Sequence, residues 1–424
     1  VVLSCCKSIK NPSKVLYLKD FIMYFMLRKI SFISIFVLLA LQSFPGTAQT
    51  LNKQDVNLAY NVGFDMNFDN REFYRSGFSR SMTIFGARLT PAVGVSVSQN
   101  RNIRHKVMLG IDIMKDFGAS PISSSIAGAG SSETSMGLNN RDLFREMLLY
   151  YRLDRKSGDS RFSLNAGIFP RNEMKEYYSE AFFSDSLRFY DNNLEGLLLR
   201  LERPSASFEL GCDWMGQYGT DRRERFMVFS AGHGDVTSFL SMGYAAYMYH
   251  FASSDNVHGV VDNVLLNPYM KFDFARMTGL QSFYLRLGWL QSMQHDRVHV
   301  GHYVFPYGGE IDMDLRKWNV GIRNDLFIGT DMMPYYNSQD AGGFKYGTRL
   351  YMGDPFYRVY DDGKGGIGTY DRFEAYYEPK TGSYLKLRVS AVFHFNNMKY
   401  SGTQQMVQLR FDLQELMKRK NRRW

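Results

Sequence analysis

Val56-Asn57-Leu58-Ala59-Tyr60-Asn61-Val62-Gly63-Phe64-Asp65-Met66-Asn67-Phe68 is the stretch that decides the fold. In steps of two, Val56, Leu58, Tyr60, Val62, Phe64, Met66 and Phe68 form one series; Asn57, Ala59, Asn61, Gly63, Asp65 and Asn67 form the other. Successive side chains of a β-strand point to opposite faces, so this is a strand with one apolar and one polar face. Its length is more than twice the five or six residues usual in soluble sheets. A strand this long, apolar on one side and polar on the other, suits a barrel wall between lipid and a wet lumen.

The same reading recurs to the C-terminus and gives about sixteen antiparallel strands. Residues 82–97 set Phe85, Ala87, Leu89, Val93, Val95 and Val97 outward, and Val107, Leu109, Ile111 and Ile113 do so in the next strand. Met147, Leu149, Tyr151 and Leu153 oppose Glu146, Leu148, Tyr150 and Arg152, and a fifth strand follows at 161–171. Further strands are expected near 194–202, 207–215, 225–231, 236–251, 264–276, 281–291, 313–328, 343–353 and 369–378. The last two present Leu385, Leu387, Val389, Ala391, Phe393 and Phe395, then Val407, Leu409, Phe411 and Leu413, to lipid. Long connectors (69–80, 118–141, 172–193, 292–311, 354–368) alternate with short ones (99–104, 155–160, 203–206, 232–235, 277–280, 380–383), as extracellular loops and periplasmic turns do. The stretch 329–341 breaks the alternation, being long where a short turn is due. A two-sheet sandwich, the ordinary alternative for alternating sequence, does not account for strands so long and so many.

A secretory leader supports the membrane reading. Residues 26–48 carry a Met26 start, the Arg28-Lys29 charge, an apolar run from Ile30 to Leu41 and a Gly46-Thr47-Ala48 cleavage site. The run of about twelve residues is too short for a spanning helix, which needs about 20. Residues 1–25 read as a mis-assigned upstream extension, 49–413 as the barrel and 414–424 as a basic periplasmic tail. Only Gln49 to Asp55 separate the cleavage site from the first strand, so no N-terminal plug domain, and no transport energised through one, is expected.

Composition excludes several classes. Cys5 and Cys6 precede the apolar run, which leaves Cys212 alone and no disulfide or cysteine-metal framework. The formal charge of +9 comes from the leader and the tail, so residues 49–413 are neutral and nucleic acid is not an expected partner. Aromatic residues make up 15% of the chain, as girdles at two membrane interfaces require.

The chain resembles the porin-like outer-membrane barrels of Bacteroidota. The likeness rests on Gly167-Ile168-Phe169-Pro170-Arg171, Phe182-Phe183-Ser184-Asp185-Ser186-Leu187, Asn193-Leu194-Glu195-Gly196-Leu197-Leu198-Leu199 and Gln408-Leu409-Arg410-Phe411-Asp412-Leu413. A more distant likeness is to phosphate-selective porins, whose basic lumen this balanced wall does not match. The resemblance implies outer-membrane lipid, small hydrophilic solutes and the barrel-insertion machinery as partners, and a homotrimer as the assembly.

The expected function is therefore a passive outer-membrane channel, not an enzyme, with no cofactor and no metal. The alternative is a non-conducting barrel that binds or scaffolds through its extracellular loops. The expected pore lining is Arg88, Asp112, Glu146, Arg152, Arg200, Lys271, Asp273, Arg286, Arg323, Lys386, Arg388 and Arg410, filtering solutes by its field or pairing across strands. The aromatic and acidic loop Arg171–Asn193 is either a candidate constriction, through Glu176, Tyr177, Tyr178, Asp185 and Tyr190, or an outward surface loop. His295, His299 and His302 have only Asp296 and Glu310 as supporting ligands at a suitable spacing and read as a solvated loop rather than a metal site, and His394 near Ser390 is the nearest approach to a catalytic pair.

Overall fold

The computed structural model describes residues 56–74, 81–118, 144–359, 366–413 and 415–416. All belong to the unit Lys53–Trp424. The leader, the cleavage site, Cys5, Cys6 and the basic tail from Lys418 to Trp424 lie outside the described residues.

Sixteen antiparallel strands close into one barrel. They are β1 (Val56–Phe73), β2 (Met82–Asn100), β3 (Ile103–Asp116), β4 (Phe144–Ser157), β5 (Ser160–Pro170), β6 (Asn193–Arg203), β7 (Ala206–Gly216) and β8 (Arg225–Asp235). They continue as β9 (Leu240–Phe251), β10 (Val261–Asp273), β11 (Ser282–Asp296), β12 (Tyr307–Lys317), β13 (Val320–Gly329), β14 (Gly368–Tyr377), β15 (Leu385–Asn396) and β16 (Lys399–Asp412). Closure comes from β1 on β16, in register from Gly63↔Asp412 to Phe73↔Gly402. With no free edge, every strand has two neighbours, the condition for satisfying backbone polar groups in lipid. Outward side chains such as Leu58, Leu89, Val93, Leu109, Leu149 and Trp289 are exposed. On a closed barrel, this apolar belt makes the chain an outer-membrane β-barrel of a Gram-negative bacterium.

Two boundaries differ from the sequence reading and cancel in the count. The expected strand 313–328 is two strands, β12 and β13, joined by a tight turn at Trp318-Asn319. Both turn residues have positive φ, 52° and 68°, as a type I′ hairpin turn requires. Such turns favour Asn-Gly, and here no glycine signals it. The expected strand 343–353 instead contains a short helix, Gly347–Leu350. It lies in the β13–β14 loop (330–367), which also holds the anomalous 329–341 stretch. A second glycine-free turn, Asn397-Met398 (φ 50° and 61°), joins β15 to β16.

The extracellular half of the lumen is packed protein. The β5–β6 loop (171–192), with its helix α1 (Asp185–Tyr190), turns inward and buries Ala181, Phe182, Phe183 and Leu187. The β13–β14 loop buries Met332, Met333, Tyr346, Leu350, Met352, Phe356 and Tyr357. Both join one core with the inward wall residues Phe229, Tyr247, Tyr249, Phe251 and Phe327. The loops also bond to each other: Ser184 N donates to Met352 O at 2.9 Å and Asp354 N to Glu180 O at 2.8 Å. At Gly353 an added Cβ would lie 2.0 Å from Ala181 O, so only glycine permits that approach.

Candidate active site

The expected pore-lining residues do face inward, and most are held by partners. Arg88 pairs with Asp112 and donates to Phe189 O (2.6 Å) and Tyr190 O (2.9 Å), anchoring the end of α1. Asn193 Nδ2 bridges Asp112 (2.8 Å) and Glu146 (2.7 Å). Arg152 pairs with Asp154 (3.0 Å) and Glu173 (2.6 Å), and Arg200 with Glu202. Lys271 lies 3.8 Å from Asp273. Arg286 pairs with Asp312; Arg323 lies 3.3 Å from Asp312 and 3.0 Å from Asp325. Arg388 lies 2.9 Å from Glu374, and Arg410 pairs with Asp65. Lys386 borders the periplasmic mouth.

The expected constriction loop is in the lumen, but its residues do separate jobs. Tyr178 is buried in the apolar core, and Tyr190 packs with Ile84 and Met114. The Tyr177 ring carries the Arg286 guanidinium at 3.4 Å, and Asp185 lies 3.6 Å from Arg372. Glu176 bonds His233 Nδ1 (2.7 Å) and accepts from Ser207 Oγ. Burial favours the neutral form of Glu176, yet the His233 and Ser207 hydrogen bonds hold its carboxyl below the usual value. Ser207 Oγ and Glu176 meet the same His233 nitrogen, Ser207 at 3.4 Å. The cluster therefore lacks the relay in which serine and acid sit on opposite ring nitrogens. It pins the loop to the wall.

The remaining histidines separate cleanly. His394 is fully buried and both its nitrogens are engaged, by Tyr370 Oη (2.9 Å) and Gln404 (2.7 Å). That excludes it as a general base and removes the Ser390–His394 pairing. His299 bonds Asp296, and His302 bonds Val300 O. Among the described residues, no group of three His, Cys, Asp or Glu is placed to hold a metal.

One site was not legible in the sequence. Strand register aligns Trp214 (β7), Phe226 (β8), His250 (β9), Asp262 (β10) and His295 (β11). Paired residues share a face, and the neighbours Tyr249, Phe251, Val261, Asn263 and Asp296 are buried inward. The row therefore faces outward, at the extracellular ends of the strands. His250 Nδ1 lies 3.1 Å from Asp262 Oδ1, with the two side chains 24% and 22% exposed. Arg297 donates to Asp262 Oδ2 through Nε (2.8 Å) and Nη2 (2.7 Å). The His250 ring lies 5.1 Å from Phe226, which stacks on Trp214, and His295 lies against Tyr303 at 4.3 Å. Beneath the row the outward positions are Val228, Met248, Val264 and Met293. The available signal is symmetry: His250 and Asp262 sit at matched heights on either side of the β9–β10 loop.

Asp262 fixes the imidazole by accepting from Nδ1–H, which leaves Nε2 free to take a proton. The arrangement is a His–Asp pair with an adjacent guanidinium on the outward face at the strand ends.

A family model described as lipid A 3'-O-deacylase-type matches residues 51–256, just under half of the chain. This match corrects two expectations. A passive channel for small hydrophilic solutes and the absence of enzymatic activity both give way to likeness to an ester-cleaving family. No curated protein matches the chain. Among solved structures, a loop-deleted OmpT of Vibrio cholerae is similar at TM-score 0.49 and 9% identity, covering 84% of this chain and 99% of that one. OccD3 of Pseudomonas aeruginosa is similar at TM-score 0.43 and 11% identity, covering 88% and 97%. OmpF of Salmonella typhi, in complex with daunomycin, gives 0.44 and 11%, covering 86% and 99%. Likenesses this distant carry no functional argument, and the barrel stands on its own strand ladder.

Proposed function

We propose that this chain is an outer-membrane ester hydrolase that removes an O-linked acyl chain from lipid A. The observation that carries the reading is the His250–Asp262 dyad on the lipid-facing wall, with Nε2 free and the strand ends bringing it to the outer leaflet. The family likeness supports it and includes His250; Asp262 and Arg297 lie beyond the matched segment.

In this reading the acyl chain lies along Met248, Val264 and Met293, and the sugar sits above the row. His250 Nε2 takes a proton from water, and the hydroxide adds to the ester carbonyl. The tetrahedral intermediate collapses with cleavage of the bond to the sugar oxygen, which recovers the proton from Nε2. Products are a free fatty acid and lipid A with one hydroxyl more. Asp262 holds the ring and balances the imidazolium, and Arg297 holds Asp262 while its remaining N–H groups face the polar head.

The test uses the full chain folded in detergent with lipid A in mixed micelles. Mass spectrometry should show loss of one acyl group by the wild type and intact lipid A with His250→Ala. Heat-modifiable gel mobility shows that each variant is folded. Unchanged lipid A with folded wild type, or full turnover by folded His250→Ala, overturns the proposal.

A further inference from the structure

The periplasmic end of the lumen is chemically unlike the rest of the wall. A cavity of 1140 Å³ opens there between the β2–β3 and β4–β5 turns, the start of the β5–β6 loop and the ends of β15 and β16. Eleven Lys and Arg and five Asp and Glu line it. The acids are largely committed: Asp154 and Glu173 to Arg152, and Glu202 to Arg200. Arg104, Lys106, Lys156, Lys175 and Lys386 form no ion pair with a carboxylate among the described residues. Elsewhere in the lumen arginines are matched in the Arg286–Asp312–Arg323 and Arg372–Glu374–Arg388 groups. The unmatched charge is therefore concentrated at the periplasmic end.

We propose that this vestibule binds a small anion bearing three or more negative charges, entering from the periplasm. Its volume exceeds what a single phosphate or carboxylate fills and lies in the range of ligand pockets. Facing cations spread over β3, β4, β15 and the inward loop reward a ligand that reaches several at once. Arginine forks suit phosphate and carboxylate alike, so the shared chemistry is the anionic oxygen cluster. Lys175 adds a second indication. Burial, and the like charges of Arg200 and Lys386, hold its ammonium below the ordinary value despite Glu173. A bound polyanion relieves that repulsion. The site is distinct from the outer-wall dyad and does not rest on the proposed hydrolysis.

The test is isothermal titration of the full folded chain with tripolyphosphate, citrate and monophosphate. Tripolyphosphate should bind in the micromolar range at low salt and weaken steeply as salt rises. The Lys106→Ala/Lys386→Ala double variant should weaken it by about tenfold or more, the scale of losing charge-assisted contacts. Gel mobility confirms that the double variant is folded. Citrate equal to tripolyphosphate supports the site and assigns recognition to charge alone; tighter tripolyphosphate supports it and assigns recognition to phosphate. Monophosphate binding as well as either, no heat with tripolyphosphate, or unchanged affinity in the folded double variant overturns the proposal.

Discussion

Asp262→Asn is the most discriminating single change, because the structure says which way the new amide turns. Asp262 Oδ2 accepts twice from Arg297, at 2.8 and 2.7 Å, and Oδ1 faces His250 Nδ1 at 3.1 Å. Arginine has only donors, so the asparagine keeps its oxygen toward Arg297 and turns its NH₂ toward His250. Nδ1 must then accept, which puts the ring proton on Nε2 and abolishes its use as a base. A positioned general base contributes about 10²–10⁴ in rate, and at about 1.36 kcal/mol per decade the loss is about 3–5 kcal/mol of barrier. The assay is single-turnover deacylation in mixed micelles, followed by mass spectrometry. Because the two residues act as a unit, the Asp262→Asn/His250→Ala double variant should be no slower than His250→Ala alone. Wild-type turnover by Asp262→Asn, or effects that multiply in the double variant, refutes the dyad.

Three other outcomes test the packed lumen. Glu180, buried in the β5–β6 loop, has its carboxyl pushed up to about 7 by burial and by Asp185, against Arg188 and Arg372. A raised folded value means its contribution is full below about pH 4.5 and is lost as pH rises through about 7, worth up to about 3 kcal/mol. Thermal unfolding should fall across that window in wild type and flatten in Glu180→Gln; parallel curves contradict the assignment. Gly353→Ala places a Cβ 2.0 Å from Ala181 O and should cost about 1–3 kcal/mol, read as faster hydrogen exchange in both loops. Deleting residues 174–188 should open the lumen, and planar-bilayer conductance no greater than that of the full chain would show that the loop does not fill it.

The strands were legible because their signal is local. The Val56–Phe68 alternation puts the same residues outward in β1 as the structure does. Turns were legible where glycine marks them and hidden at Trp318-Asn319, where bulky residues take positive φ. The inward fate of the β5–β6 loop was only half legible: an aromatic and acidic loop suits a constriction or an outward surface loop alike, and contacts such as Ser184 N to Met352 O decide it. Its partner was missed because Tyr346, Leu350 and Met352 mimic a strand while serving a loop core. The dyad was invisible for another reason. Periodicity gives a residue its face, but only the register between strands gives it its neighbour.

Stability alone does not explain the outer row. Charges facing lipid are costly at the bilayer midplane and nearly free at the interfaces, about 0–1 kcal/mol there. The same row otherwise carries aromatics, Phe226 and the exposed Trp214. At His250, Asp262 and Arg297 the barrel instead carries a three-membered ionic group whose parts offset one another. The buried ring nitrogens of His295 beside it have no partner in the described structure. If the group were a structural clamp, removing it entire would lower stability. If it is a site, replacing it entire with apolar residues should leave stability equal or greater, as when a matched ion group gives way to well-packed side chains. His250→Phe/Asp262→Leu/Arg297→Leu should therefore unfold at or above the wild-type temperature and release no fatty acid. Asp262→Leu alone should be the less stable variant, since it strands Arg297. A triple variant less stable than Asp262→Leu would make the row a clamp and remove the physical ground for calling it a site.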